Sequence, residues 1–156
     1  EPVPVAETGA LRGERLRFAG CCLDIEATFT LRDRLKVGLM LLATPDGSGA
    51  EREATRVFFW PDARRLVIER AGSSTDPAMR RQDLWAHLEV PDGTPLHLRV
   101  LLDHSVLEVY ANDQVCLSTR VYPASAASVT ASAWVDGDAD VALRAWTMGS
   151  CHAGPA

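Results

Sequence analysis

A chain of 156 residues is long enough for one domain that buries about 68–70% of the surface its unfolded form exposes. Its hydrophobic share is 47%, and a formal charge of -5 with a pI of about 5.3 provides no basic face for nucleic acid. No apolar run approaches the roughly 20 residues that cross a bilayer, so neither nucleic acid nor a membrane is expected as a partner.

Residues 1–15 are Pro-rich, then charged. They read as a linker or interdomain strap before a β-domain over 16–150, with 151–156 as a tail. The opening Glu1-Pro-Val-Pro-Val has neither the basic start nor the apolar core of a secretion signal. From Leu23 the alternation is strict. Leu23, Ile25, Ala27, Phe29 and Leu31 share one face, with Asp24, Glu26, Thr28 and Thr30 on the other, as in a half-buried strand. Arg32-Asp33-Arg34 turns the chain. The apolar run Val37–Ala43 predicts a central strand, and Pro45-Asp-Gly-Ser-Gly49 a loop. Residues 54–60 and 65–70 form a hairpin around Pro61-Asp62-Ala63.

Residues 72–83 are polar and irregular, with at most one helical turn near Asp76. Leu84–Val90 is a short strand, and Pro91-Asp-Gly-Thr-Pro95 is a turn. Residues 96–123 alternate as three consecutive strands. Val129–Val135 and Val141–Met148 follow as two more, separated by a turn at Asp136-Gly-Asp-Ala139. No 12-residue stretch shows helical periodicity. The fold class is all-β: a two-sheet antiparallel β-sandwich of about ten strands, jelly-roll or concanavalin-like, with a closed barrel as the alternative.

The four cysteines, Cys21, Cys22, Cys116 and Cys151, include no C-x-x-C pair, so no metal site and no cofactor are expected. Adjacent strand residues point to opposite faces, so only one of Cys21 and Cys22 should reach any given partner. Buried free thiols are the simpler reading. A bridge from Cys21 or Cys22 to Cys151 requires the first and last strands to lie side by side.

The most specific run is Asp103-His-Ser-Val-Leu-Glu-Val-Tyr110, followed by Thr119-Arg-Val-Tyr-Pro123. Around it lie Leu16–Phe29, the hairpin segments Glu53–Trp60 and Arg65–Ser74, and Val141–Met148 with its Trp146. Together, over roughly residues 11–148, these resemble the C-terminal β-sandwich of glycoside hydrolase family 32, the invertases, inulinases and levanases. Glu69 stands where that family usually has Asp. The resemblance implies a partner, the five-bladed catalytic propeller that precedes the sandwich. It also implies an extracellular or periplasmic location, fructan or fructose as ligand, and room for a homodimer contact.

The family's catalytic motifs, Asn-Asp-Pro-Asn, Arg-Asp-Pro and Glu-Cys, do not occur. The single Asn112 precedes Asp113-Gln114, Arg32-Asp33 precedes Arg34, and no Glu precedes a Cys. Retaining hydrolysis needs two carboxylates about 5–5.5 Å apart in defined roles. This chain is therefore expected to be non-catalytic, either an accessory domain or a fructan-binding module.

Candidate sugar-binding residues follow from chemistry. Glu108 and Arg120 interrupt apolar strands. A two-residue turn at Asn112-Asp113 would set Glu108 opposite Leu117, and a three-residue loop would set it opposite Ser118 on Arg120's face. They are read as a cross-strand ion pair or, alternatively, as a grip on fructose hydroxyls. Trp60, Trp85, Trp134 and Trp146 are candidate stacking platforms, Trp60 and Trp85 being better placed and Trp146 assigned to the core. Tyr110 and Tyr122 share the face of Glu108 and Arg120. Arg56, Glu69, Arg70, Ser73 and Ser74 form a polar group that meets the propeller, binds ligand or is solvated. Asp103-His104-Ser105 is too contiguous to converge as a triad, and is read as a turn in which Asp103 or Ser105 bonds backbone groups, with Asp103 also a candidate sugar-binding carboxylate.

Overall fold

The structure is a computed structural model describing residues 5–44 and 52–149. These contain no helix and ten strands: β1 (Val5–Ala19), β2 (Cys22–Leu31), β3 (Val37–Ala43), β4 (Thr55–Trp60), β5 (Arg65–Glu69), β6 (Leu84–His87), β7 (Leu96–Asp103), β8 (Val106–Ala111), β9 (Val115–Arg120) and β10 (Thr130–Thr147). All pairings are antiparallel, and the strand order is β6-β5-β4-β3-β10-β2-β7-β8-β9, with β1 along β10.

The long strand β10 makes two sheets of this order. Residues 130–135 pair with β3, and residues 139–147 pair with β2. Both neighbours lie on one edge, because β1 occupies the other. The first sheet is therefore β6-β5-β4-β3 with the start of β10. The second is β2-β7-β8-β9 with its end. The transfer occurs at Asp136-Gly137-Asp138, expected as a turn between two strands. The breaker residues mark a bend inside one strand instead. There the Asp136 amide donates to the Lys36 carbonyl at 2.9 Å, and the Asp138 amide donates to the Asp33 carboxylate at 2.9 Å. A Cβ on Gly137 would strike the Asp33 carboxylate and Leu35.

Residues 5–15, expected within a linker or strap, belong to β1 and pair with β10. An edge strand hides its pattern, since Leu11 turns fully inward while Arg12 reaches out to Asp138 at 2.7 Å. Residues 16–29, one of the segments that carry the resemblance, span the end of β1, a bend at Gly20-Cys21 and most of β2. The expected loop at 45–49, the tail at 151–156 and Cys151 lie outside the described residues.

The core lies between the sheets, where alternate residues face inward. Ile25, Phe29, Val100 and Val109 of the second sheet oppose Leu39, Val57, Phe59 and Ile68 of the first, all essentially solvent-free. At the far side β6 and β9 approach each other without pairing, so the molecule is a sandwich and not a closed barrel. The buried Arg70 ties this side together. Its Nε donates to the Gln82 carbonyl at 2.6 Å, and its Nη1 donates to the Arg120 carbonyl at 3.0 Å.

Candidate functional site

The β8–β9 hairpin closes through the three-residue loop Asn112-Asp113-Gln114. Asn112 and Asp113 take φ of 48° and 53°, a region that Asn and Asp tolerate better than most residues. This register sets Glu108 opposite Ser118 and Arg120 opposite Val106, so both side chains share the outer face. They do not form the expected ion pair. Arg120 donates from Nη1 to Ser105 Oγ at 2.7 Å, and Glu108 Oε2 accepts from the Tyr110 hydroxyl at 3.3 Å. The negative charge of Glu108, with Cys116 next, raises the Tyr110 phenol above its ordinary pKa. Tyr122 follows β9 and is exposed.

Beside Tyr110 lies a cleft of about 550 Å³, lined also by His97, Arg99, Asn112 and Gln114. Asn112 shapes it by accepting from the His97 amide at 2.6 Å and donating to the Pro95 carbonyl at 3.2 Å. Of the nominated sugar-binding residues, only Tyr110 lines this cleft. The rest of the second sheet's outer face is laced by ion pairs, Arg99 with Asp24 and Arg144 with Glu26, each at 2.9 Å. Trp146 stands here under the Arg144 guanidinium, half-buried. It is not in the core, because the inward residues of this part of β10 are Ala139, Val141, Leu143 and Ala145.

The outer face of the first sheet is different. Trp134 meets Phe58 edge-on with ring centroids 5.6 Å apart, on either side of Gly38, which pairs with both. Val67 extends this strip to Trp85, since Val67 pairs with Phe58 on one side and with Trp85 on the other. Trp85 is 54% exposed and Trp60 39%. Cations lie over the rings: Arg65 at 3.6 Å from the Trp85 centroid, Lys36 at 4.4 Å from Trp60, and Arg56 at 5.8 Å from Trp134. Arg56 also pairs with Glu69 at 3.3 Å.

The polar group proposed for one hairpin therefore divides. Arg56 and Glu69 lie on this outer face, whereas Arg70, Ser73 and Ser74 are buried. Next to them is a residue that sequence reasoning missed as a site. Glu53 is 1% exposed and pairs with no cation among the described residues. It accepts from the Thr75 amide and hydroxyl at 2.8 and 3.0 Å, the Ala124 and Ser125 amides at 2.7 and 3.1 Å, and the Ser128 hydroxyl at 2.6 Å. Burial pushes this carboxyl up, but the Ser128 hydroxyl and the three amides outweigh it and hold the group down at about 2. The donors are satisfied internally, so Glu53 is a clamp and not a binding group.

Asp103-His104-Ser105 is a turn joining β7 to β8, but its side chains bond side chains. Ser105 turns to Arg120, while Asp103 Oδ1 accepts from His104 Nδ1 at 2.8 Å. Cys22 lies against them, with its Sγ 3.4 Å from His104 Nδ1 and 3.6 Å from Asp103 Oδ1. Cys21 joins it, with the two sulfurs 4.0 Å apart. The expectation that only one of the two would reach a given partner fails because Cys21 sits in the bend before β2, where strand alternation does not apply. Cys21, Cys22 and Cys116 are unbridged but not buried: the first two are half-buried and the third exposed. Burial, then Cys21, raises the Cys22 thiol above its ordinary pKa, the reverse of an activated nucleophile. Bonding to Cys151 falls outside the described residues.

A fructan 6-exohydrolase of Beta vulgaris is 33% identical over 71% of this chain, which spans 20% of that protein. A cell wall isozyme of beta-fructofuranosidase from Pisum sativum is 28% identical over 71% of this chain and 26% of its own length. The chain thus spans about a fifth to a quarter of these relatives. The exo-inulinase of Aspergillus awamori shares the fold, with a TM-score of 0.82 at 18% identity, covering 96% of this chain and 29% of that one. The model of the C-terminal region of glycosyl hydrolases family 32 matches residues 4–147, and the chain belongs to that family of C-terminal domains.

Proposed function

We propose that this chain is the non-catalytic C-terminal accessory domain of a fructan- or sucrose-cleaving enzyme. It stabilises the catalytic domain and shapes substrate access, and it docks through the outer face of the first sheet. The observation carrying this reading is the contrast between the two outer faces. Two ion pairs lie on the second sheet, whereas the first, beside its Arg56–Glu69 pair, carries Trp60 and Trp85 open to solvent on either side of the buried Phe58 and Val67. The occupant is argued from length: some three quarters or more of each relative lies outside the region this chain matches. The Pisum sativum relative is a cell wall isozyme, which supports a location outside the cytoplasm.

The test is the whole enzyme carrying Trp60→Ala and Trp85→Ala. Several-fold faster thermal inactivation is expected, together with a shifted KM for fructan as access is no longer shaped. Unchanged inactivation would remove the docking role from this face. Self-association of the isolated chain through the same tryptophans would assign the face to a homodimer.

A second reading, a fructan-binding module, draws on the cleft beside Tyr110, whose volume of about 550 Å³ suits a sugar unit. Calorimetry with levan, inulin and fructose separates the readings. A module binds at micromolar to millimolar strength, about −8 to −4 kcal/mol, and loses that binding in Tyr110→Ala. An accessory domain shows no heat.

A further inference from the structure

The sequence spacing of the cysteines carries no metal motif, yet the fold assembles one from two turns. The Gly20-Cys21 bend between β1 and β2 lies beside the β7–β8 turn, where the His104 amide donates to the Cys21 carbonyl at 2.7 Å and Cys22 pairs with Asp103. The donor atoms of Cys21, Cys22 and His104 all lie within 4.8 Å of one another. The two sulfurs are 4.0 Å apart, and Cys22 Sγ is 3.7 Å from His104 Nε2. A tetrahedral ion with sulfur at about 2.3 Å and nitrogen at about 2.05 Å sets ligand edges of about 3.8 Å between sulfurs and about 3.5 Å between sulfur and nitrogen. The two sulfurs thus stand close to their bound separation, whereas Cys22 Sγ lies nearer to His104 Nδ1, at 3.4 Å, than to Nε2, so the ring turns to bring Nε2 onto the ion.

A further observation points the same way. Asp103 Oδ1 accepts from His104 Nδ1 at 2.8 Å, the carboxylate–imidazole arrangement that fixes the tautomer and leaves Nε2 free as a ligand. His104 holds φ at +51° in the two-residue connection, a backbone region that His tolerates better than most residues.

We propose that Cys21, Cys22 and His104 bind one thiophilic metal ion, with zinc as the ion the geometry fits, and that Asp103 orients the His104 ring. Two thiolates and an imidazole select zinc or copper(I) over magnesium or calcium. Binding releases the thiol protons to solvent and ties the β1–β2 bend to the β7–β8 turn. Three protein ligands leave a fourth position for water.

The experiment titrates the chain with Co²⁺ and then Zn²⁺ in a Cys116→Ser, Cys151→Ser background, so that only Cys21 and Cys22 supply thiols. One Co²⁺ per chain is expected, with intense thiolate-to-metal absorption that stoichiometric Zn²⁺ abolishes. Cys21→Ser and Cys22→Ser should each remove that absorption, and Asp103→Asn should weaken affinity about 10–100-fold. His104→Gly should lose the ion yet keep the fold without metal, since glycine also takes this φ, which separates lost ligation from lost folding. No binding tighter than micromolar, binding that survives the double replacement of Cys21 and Cys22, or a Cys21–Cys22 disulfide in the purified chain would each overturn the proposal.

Discussion

A buried carboxylate without a cation persists only when enough donors surround it, and Glu53 meets that condition with five. Its carboxyl titrates near 2 when folded and near 4.5 when unfolded. The stabilisation is therefore complete above the unfolded value, declines as pH falls through that window, and is gone once the folded group is protonated. A shift of this size corresponds to about 3 kcal/mol. Glu53→Gln, which turns amide donors toward donors, should lower stability by about 2–3 kcal/mol at neutral pH and by far less near pH 2 in urea unfolding. Equal losses at both pH values would contradict the clamp. None of this was legible in the sequence, because the donors come from residues 75 and 124–128, remote along the chain. Tyr110 offers a second check at this scale. Glu108→Gln should lower its phenol titration, followed by phenolate absorbance, because the carboxylate is the leading cause of the raise.

At the scale of elements, strands that carry one solvated and one buried face declared themselves. The alternation of β2 and of β7 through β9 predicted their existence and sidedness, since a period of two has no other cause. β1 and β10 were not legible as they are. β1 is an edge strand in which Leu11 is 1% exposed and Leu16 and Phe18 are only partly buried against the core. β10 carries Gly137 where it changes sheets, and glycine between aspartates reads as a turn. The hairpin register at Glu108 stayed open for a similar reason, because loop length depended on whether Gln114 joined the turn. Leu11→Ala should cost about 3 kcal/mol in denaturant unfolding, whereas a residue in a linker would cost nothing measurable. Gly38→Ala should cost about 1–3 kcal/mol, because its Cβ would meet the Val57 carbonyl and the Phe58 backbone and part β3 from β4.

The molecule as a whole presents two outer faces of opposite character on one core. Ion pairs between exposed side chains contribute little each, and their role on the second sheet is to keep that face wet and unpaired. On the first sheet, guanidinium and ammonium groups lie over the rings of Trp60, Trp85 and Trp134 and solvate that aromatic surface. The sequence nominated these tryptophans singly; their union with Phe58 and Val67 follows only from the register of β3, β4, β5, β6 and β10. The most direct measurement is oxidative footprinting of the tryptophans and tyrosines, in the isolated chain and in the whole enzyme. Docking through the first sheet predicts that Trp60 and Trp85 are modified readily in the isolated chain and strongly protected in the enzyme, with Tyr110 reacting equally in both. Equal modification of Trp60 and Trp85 in the two samples would contradict it.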